Sequence, residues 1–89
     1  MLDRVLTRHP QVALRPEPFG ALVYHYDNRK LIFLRHPDLL TVVQSLDGRR
    51  TVAEALDVAG VASSRRPSFL AALQSLLDSE MLGEPALTR

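Results

Sequence analysis

The chain has 89 residues, 46% of them hydrophobic, and its 11 Lys and Arg nearly balance 10 Asp and Glu, which leaves a net charge of +1. This length predicts one domain with a modest core. The absence of cysteine excludes disulfides, thiolate metal ligands and thiol catalysis, and it fits a reducing cytoplasm. A charge this close to zero is atypical of a protein that neutralises many phosphates, and no apolar run reaches the length of a membrane span.

The first half of the chain carries three patterns that are typical of β-strands. Residues 11–15 alternate, with Val12 and Leu14 on one face, residues 21–26 are rich in β-branched and aromatic residues, and residues 31–34 are an apolar run between basic flanks. Residues 11–15, 21–26 and 29–35 are predicted as three strands, separated by a proline- and glycine-containing loop at 16–20 and a turn at Asp27-Asn28. They form an antiparallel meander. The third strand ends in Arg-His-Pro and is followed directly by a helix instead of another strand, so it is predicted to lie at an open edge of the sheet.

From Pro37 the apolar period changes to about 3.6 residues, which predicts three helices. The first begins at Pro37, the second follows a capping box formed by Thr51 and Glu54, and the third begins at Pro67 or Ser68. The inward positions of the third helix are Phe69, Leu70, Leu73, Leu76, Leu77 and Met81.

Three strands followed by three helices make an α+β domain. The predicted domain spans residues 10–84. Residues 1–9 form an N-terminal arm, with one helical turn capped by Asp3 as the alternative, and residues 85–89 form a C-terminal tail.

The segment Leu46-Asp47-Gly48-Arg49-Arg50-Thr51-Val52-Ala53-Glu54-Ala55-Leu56, together with Phe69–Leu73, resembles the peptide-chaperone domains of the pyrroloquinoline-quinone type. Residues 14–21 and 24–29 resemble the mycofactocin-system chaperones more closely. The pair Leu34-Arg35 favours that narrower group, because the wider family usually carries Leu-Asn there.

The resemblance covers roughly residues 10–84 and implies a winged-helix-like recognition element for ribosomally made precursor peptides. It further implies that the leader of the precursor joins the sheet as an added strand, between the third strand and the third helix. It also implies that the domain then delivers the leader to a radical S-adenosylmethionine maturase.

The predicted peptide-binding residues combine the strand edge with the apolar stripe of the third helix. They are Lys30, Leu31, Ile32, Phe33, Leu34, Arg35, Leu70, Leu73, Gln74 and Leu77. The basic residues at the ends of this strand have a second interpretation, since charged side chains also protect an edge from unwanted pairing.

Two other functional classes fit the predicted elements. One is a winged-helix DNA-binding protein, but Ser68–Glu80 contains no Lys or Arg and offers Gln74 as its only candidate for a base contact, so no nucleic acid is expected. The other is a homodimeric adaptor, in which the third strand pairs with the same strand of a second copy.

Catalytic and metal-binding patterns are lacking in the sequence. The three histidines at positions 9, 25 and 36 have no metal-binding spacing, and His25, between two tyrosines, is predicted at the surface or an interface. Several acidic residues lie at predicted turns and helix starts, where capping explains them without catalysis: Glu17, Asp27, Asp38, Asp47 and Glu54. The sequence therefore predicts that the protein is not an enzyme and that it binds no metal and no cofactor.

Overall fold

The computed structural model describes residues 1–85, which form two three-stranded antiparallel sheets and three α-helices. The strands are β1 (Val5–Arg8), β2 (Val12–Glu17), β3 (Gly20–His25), β4 (Leu31–Leu34), β5 (Asp47–Thr51) and β6 (Leu82–Gly83). The helices are α1 (Pro37–Ser45), α2 (Val52–Val58) and α3 (Arg66–Asp78), and a 3-10 turn at Ser63–Arg65 precedes α3. The α+β class is confirmed. Residues 86–89 of the predicted tail lie outside the described residues.

The predicted meander is confirmed as the sheet β2-β3-β4, with Leu14, Val23 and Ile32 in register across it. The strand β2 runs through Pro16, which the sequence placed in a loop. The Tyr26 N–H donates to the Gln11 carbonyl, so residues 11 and 26 form a hydrogen-bonded pair. Bonded and non-bonded pairs alternate along an antiparallel ladder, and Pro16, opposite Ala21, therefore lies at a non-bonded position where no N–H donor toward β3 is needed.

Gly20 begins β3 at a point where the backbone of β4 passes very close. Its φ is +156°, and a Cβ at this position would collide with the carbonyl oxygen of Leu34. We expect Gly20→Ala to lower the free energy of unfolding by about 1–3 kcal/mol, through backbone strain and displacement of β4. Urea denaturation checks this against Gly83→Ala, where a Cβ meets nothing within 4 Å. Equal stability losses in the two variants would contradict the close approach at Gly20.

The second sheet, in the order β5-β1-β6, was not predicted. The central strand β1 pairs with β5 through Val5 and Thr51 and with β6 through Thr7 and Gly83. The segment predicted as an arm or a helical turn therefore contains a strand. The proposed division of the chain at residues 10 and 84 stays a prediction.

These added strands also correct the predicted order of three strands followed by three helices. One strand precedes the meander, one lies between α1 and α2, and one follows α3. Each has only two to five residues, and β5 (Asp-Gly-Arg-Arg-Thr) has no apolar residue that could alternate. Their hydrogen-bonding partners lie in segments that are distant in sequence, so a local pattern does not reveal these strands.

The connection from α1 through β5 to α2 is built by side chains that bond to nearby amides. Asp47 accepts from the N–H groups of Arg49 (2.9 Å) and Arg50 (3.1 Å), and these two hydrogen bonds hold the pKa of Asp47 below its ordinary value. The predicted capping box is confirmed: the Glu54 N–H donates to Thr51 Oγ1 at 3.2 Å, and the Thr51 N–H donates to Glu54 Oε1 at 2.8 Å.

The core lies between the inner face of the meander, the central strand β1 and the three helices. Its fully buried side chains include Leu6, Val23, Val42, Leu56, Leu73 and Leu76. The helix α3 begins at Arg66, one residue before Pro67, which is the earlier of the two predicted starts, and Met81 is buried but lies beyond the helix. Among residues 1–85, no helix is long and apolar enough to cross a membrane.

Candidate functional site

The strand β4 is an edge of its sheet and, within residues 1–85, pairs only with β3. The His25 N–H donates to the Lys30 carbonyl at 3.0 Å, which makes 25 and 30 a hydrogen-bonded pair. Because bonded and non-bonded pairs alternate, Ile32 and Leu34 bond to β3, whereas the N–H and C=O groups of Leu31 and Phe33 point away from the sheet. The edge thus offers two donors and two acceptors to an added strand.

The side chains of β4 divide between the two faces of the sheet. Leu34 is 2% exposed in the core, and Ile32 packs partly buried beside it. On the outer face Leu31 is 60% exposed and Phe33 is 43% exposed. The predicted residues at the two ends, Lys30 and Arg35, are exposed.

A groove of about 440 Å³ lies between β4 and α3. Its lining residues are Ile32, Phe33, Leu34, Arg35, Leu39, Ser68, Ala72 and Ser75. The three residues from α3 are small and recur at four- and three-residue spacing, so they share one face of the helix. The large side chains Phe69, Leu73 and Leu76 turn into the core instead. Small side chains on the face toward β4 therefore leave the groove open.

The four α3 residues predicted for peptide binding do not line this groove. Leu73 is fully buried, while Leu70 and Leu77 are partly buried against the core. Gln74 is exposed and donates to Asp78 Oδ1 at 2.9 Å. The predicted stripe covers about half of the helix, and its large residues fill the core. The small residues Ser68, Ala72 and Ser75 carried no hydrophobic signal in the sequence, although their spacing could have marked a common face.

A second cavity, of about 410 Å³, continues the groove toward the start of α3. The two cavities share Arg35, Leu39, Ser68 and Ala72, and the second adds His36, Arg65 and Phe69. The Arg65 guanidinium lies 5.1 Å from the centroid of the Phe69 ring and donates to Asp38 Oδ2 at 3.1 Å. Its Nη2 also lies 3.1 Å from His36 Nε2. These contacts hold a cation at the rim of an apolar cavity.

Arg66, in contrast, is directed away from the groove. Its guanidinium donates to Asp57 Oδ1 and to the Val61 carbonyl. Of the adjacent arginines 65 and 66, only Arg65 is among the groove-lining residues.

The turn before β4 is fixed by polar contacts at the opposite end of the groove. Asn28 Nδ2 donates to the Ser79 carbonyl at 3.1 Å, and Asn28 Oδ1 accepts from the Lys30 N–H at 2.9 Å. His25 Nδ1 accepts from the N–H groups of Asp27 and Asn28. The histidine predicted at the surface is therefore a buried support of the turn, and is 1% exposed.

The hydrogen bonds of the buried His25 also determine which of its ring nitrogens carries the proton. Because Nδ1 accepts hydrogen bonds, neutral His25 carries its proton on Nε2, and this atom has no hydrogen-bond partner among the described residues. The rings of His9 and His25 lie 4.5 Å apart. Residues 1–85 contain no group of three or more His, Asp or Glu side chains that could hold a metal ion.

An open strand edge beside an apolar groove defines a candidate peptide-binding protein. A family model described as "Peptide chaperone MftB family" matches residues 6–83. The chain belongs to the MftB peptide chaperone family, which confirms the resemblance drawn from the sequence. No solved structure gives a match.

Three similar proteins carry the name "Peptide chaperone MftB". Those of Mycobacterium ulcerans (strain Agy99) and Mycobacterium tuberculosis (strain ATCC 25618 / H37Rv) are 49% and 48% identical to this chain over 80 residues, which is 90% of this chain and 73% of each relative. That of Mycolicibacterium smegmatis (strain ATCC 700084 / mc(2)155) is 49% identical over 74 residues, 83% of this chain and 72% of the relative. A chaperone has a non-catalytic role, in agreement with the prediction that the chain is not an enzyme.

Proposed function

We propose that this chain is a peptide chaperone that binds the leader of a ribosomally made precursor peptide as an added strand on β4. In this proposal the meander and helices act as a winged-helix-like recognition element, and the bound leader is presented to a radical S-adenosylmethionine maturase in mycofactocin-type biosynthesis. The observation that carries the proposal is the coincidence of outward backbone groups on Leu31 and Phe33 with the groove beside Ser68, Ala72 and Ser75.

In strand addition, the backbone and the side chains of the binding site have different roles. The outward N–H and C=O groups of β4 supply affinity for any extended peptide, whereas pockets for alternate side chains supply specificity. Successive side chains of a strand point to opposite faces, so every second leader residue enters the groove. Because Leu34, Leu39 and Ala72 line the groove, we expect these leader residues to be apolar.

A β4-to-β4 homodimer is the alternative use of the same edge, and the charge pattern disfavours it. Antiparallel self-pairing that uses the outward groups of both Leu31 and Phe33 centres on Ile32. This register brings the basic residues that precede β4 in one copy, Arg29 and Lys30, near Arg35, which follows β4 in the other copy, at both ends of the pairing. Like charges brought close together destabilise a strand pair. The same cations favour a peptide with acidic residues at its ends.

DNA binding gains no support from the helix that would enter a groove. The start of α3 at Arg66 adds a cation to the predicted recognition helix, but this side chain is held by Asp57 and the Val61 carbonyl. Gln74, the one predicted base-reading residue, donates to Asp78.

Amide hydrogen exchange with and without the precursor peptide encoded beside the gene tests the proposal. The amides of Ile32 and Leu34 bond to β3 and are expected to be protected in the free protein. Those of Leu31 and Phe33 are expected to exchange fast when free and to become protected on peptide binding. Peptide-dependent protection that misses Leu31 and Phe33, or falls on the β2 edge, would contradict strand addition to β4.

The basic residues at the ends of β4 are expected to speed the encounter with an acidic leader. Arg29, Lys30 and Arg35 form no salt bridge with another described residue. We expect Arg35→Ala to slow association by about 2- to 5-fold at low salt and to change dissociation less, because exposed charges mainly steer encounter. Stopped-flow measurements at low and high salt check this. The control is Arg49→Ala, an exposed arginine on β5 in the other sheet. If association responds to neither salt nor Arg35→Ala, these cations only protect the edge.

A further inference from the structure

The width of the groove depends on how β4 and α3 are held relative to each other. Within residues 1–85, side-chain hydrogen bonds join residues 28–38, which include β4 and the start of α1, to residues 65–79, which include α3, at two places. At one end Arg65 contacts His36 and Asp38, and at the other end Asn28 contacts Ser79. The groove is thus bridged at both ends and open between them.

Asn28 uses both atoms of its amide in this arrangement. Its Oδ1 accepts from Lys30, the residue immediately before β4, and its Nδ2 donates to the carbonyl of Ser79, the C-cap residue of α3. The last carbonyls of a helix have no partner within the helix, so Nδ2 satisfies a group that otherwise needs water. One side chain therefore joins the start of β4 to the end of α3.

The main chain around Asn28 is also fixed. The buried His25 ring accepts from the Asn28 N–H at 3.3 Å, and Arg29 adopts a left-handed φ of 63°. An asparagine held on both its backbone and its side chain leaves the turn little freedom. A site that is already in its bound geometry loses less entropy on binding, and so binds more tightly.

We infer that Asn28 is a positioning residue, which sets the width of the groove by holding the turn before β4 against the end of α3. This inference rests on the proposed function for its effect on peptide affinity, and on the geometry alone for its effect on the free protein. Asn28 does not line the groove, so its influence on the peptide acts through β4.

Two substitutions separate the two contacts of Asn28. Asn28→Asp keeps the acceptor for the Lys30 N–H and loses the donor to Ser79, whereas Asn28→Ala loses both. We expect both variants to weaken peptide affinity by roughly 2- to 10-fold, the range for one hydrogen bond. The measurement is made at high salt, which screens the new charge of Asn28→Asp. Arg4→Ala is the control, since it removes the contact with Glu84 at the other sheet.

The free protein supplies a readout that needs no peptide. The chain has no cysteine, so Lys30→Cys with Ala71→Cys attaches one spin label beside β4 and one to the exposed face of α3. The distance distribution between the labels is expected to broaden or shift in Asn28→Asp and Asn28→Ala, and to stay unchanged in Arg4→Ala.

The outcomes separate the two ideas. Unchanged distances, or affinities within twofold of the wild type in both Asn28 variants, would overturn the positioning role. A wild-type protein that takes up no peptide, while its label distances still respond to Asn28 substitution, would leave the positioning role standing and overturn the proposed function.

Discussion

Replacing Phe33 with proline is expected to weaken leader binding by about 100-fold or more while the domain stays folded. The Phe33 N–H points away from β3, so proline removes no hydrogen bond of the ladder, and Ile32 before it already has the extended backbone that a residue preceding proline prefers. The proline ring occupies the space where the backbone of an added strand would lie. Loss of two or three hydrogen bonds at about 0.5–1.5 kcal/mol each corresponds to roughly 5- to 2,000-fold in affinity, and the clash of the ring with the added strand places the expected effect in the upper part of this range.

Two controls isolate the backbone effect in this titration. Phe33→Ala removes the side chain but keeps the amide, and is expected to cost less than about 10-fold, since the ring lies on the outer face and is partly exposed. Ile32→Pro removes an amide that bonds to Val23 and is expected to destabilise the domain itself. Leu31→Pro tests the second outward amide, so the test does not depend on a single variant. Normal affinity in folded Phe33→Pro and Leu31→Pro proteins would exclude strand addition at this edge.

The parts of the fold that the sequence predicted are those with a strong local pattern. The β-branched and aromatic residues of Ala21–Tyr26 and the apolar run Leu31–Leu34 indicate β3 and β4, and Thr51 with Glu54 marks the start of α2 through a contact three residues apart. The sheet around β1 lacks such a signal. The polar segment Asp47–Thr51 becomes a strand because its backbone pairs with residues 5–7, which are 40 to 46 positions away.

Of the two walls of the groove, the sequence predicts only the one that β4 forms. The edge position of β4 follows from a strand that runs directly into a helix. The other wall depends on which side of α3 packs on the core, and this is decided by the fit of Phe69, Leu73 and Leu76 among the other buried side chains. Hydrophobicity alone favours leucines as the peptide-binding residues of α3, and not Ser68, Ala72 and Ser75, which line the groove.

One misassignment had a usable signal in the sequence. His25 shares its strand parity with Ala21 and Val23, both buried, and alternates with the outward residues Leu22 and Tyr24. Side chains two apart on a strand lie on the same face. Strand parity therefore predicts that His25 points inside, whereas its two flanking tyrosines favour a position at the surface. Its acceptor role toward the turn amides explains why a polar residue is kept there.

Filling the groove at Ala72 is expected to weaken peptide binding by about as much as blocking the strand edge. Ala72 lines both cavities, is only partly buried, and lies on the α3 face toward β4. A tryptophan there would occupy the space that an apolar leader side chain is expected to take. Excluding one such side chain, at about 1.5–3 kcal/mol, corresponds to roughly 10- to 150-fold in affinity. Calorimetric titration of Ala72→Trp with the leader peptide measures this.

The matched control is Ala71→Trp, at the neighbouring position of the same helix, where the side chain is exposed and outside the groove. Its affinity is expected to stay within about twofold of the wild type, and overpacking costs neither variant much because each ring enters open space. If Ala72→Trp binds as Ala71→Trp does while Phe33→Pro abolishes binding, the leader pairs with β4 but places its contacts on the outer face beside Leu31. If Ala72→Trp abolishes binding while Phe33→Pro does not, the peptide occupies the groove without joining the sheet. Only the loss of binding in both variants fits a strand that lies on β4 with its side chains against α3.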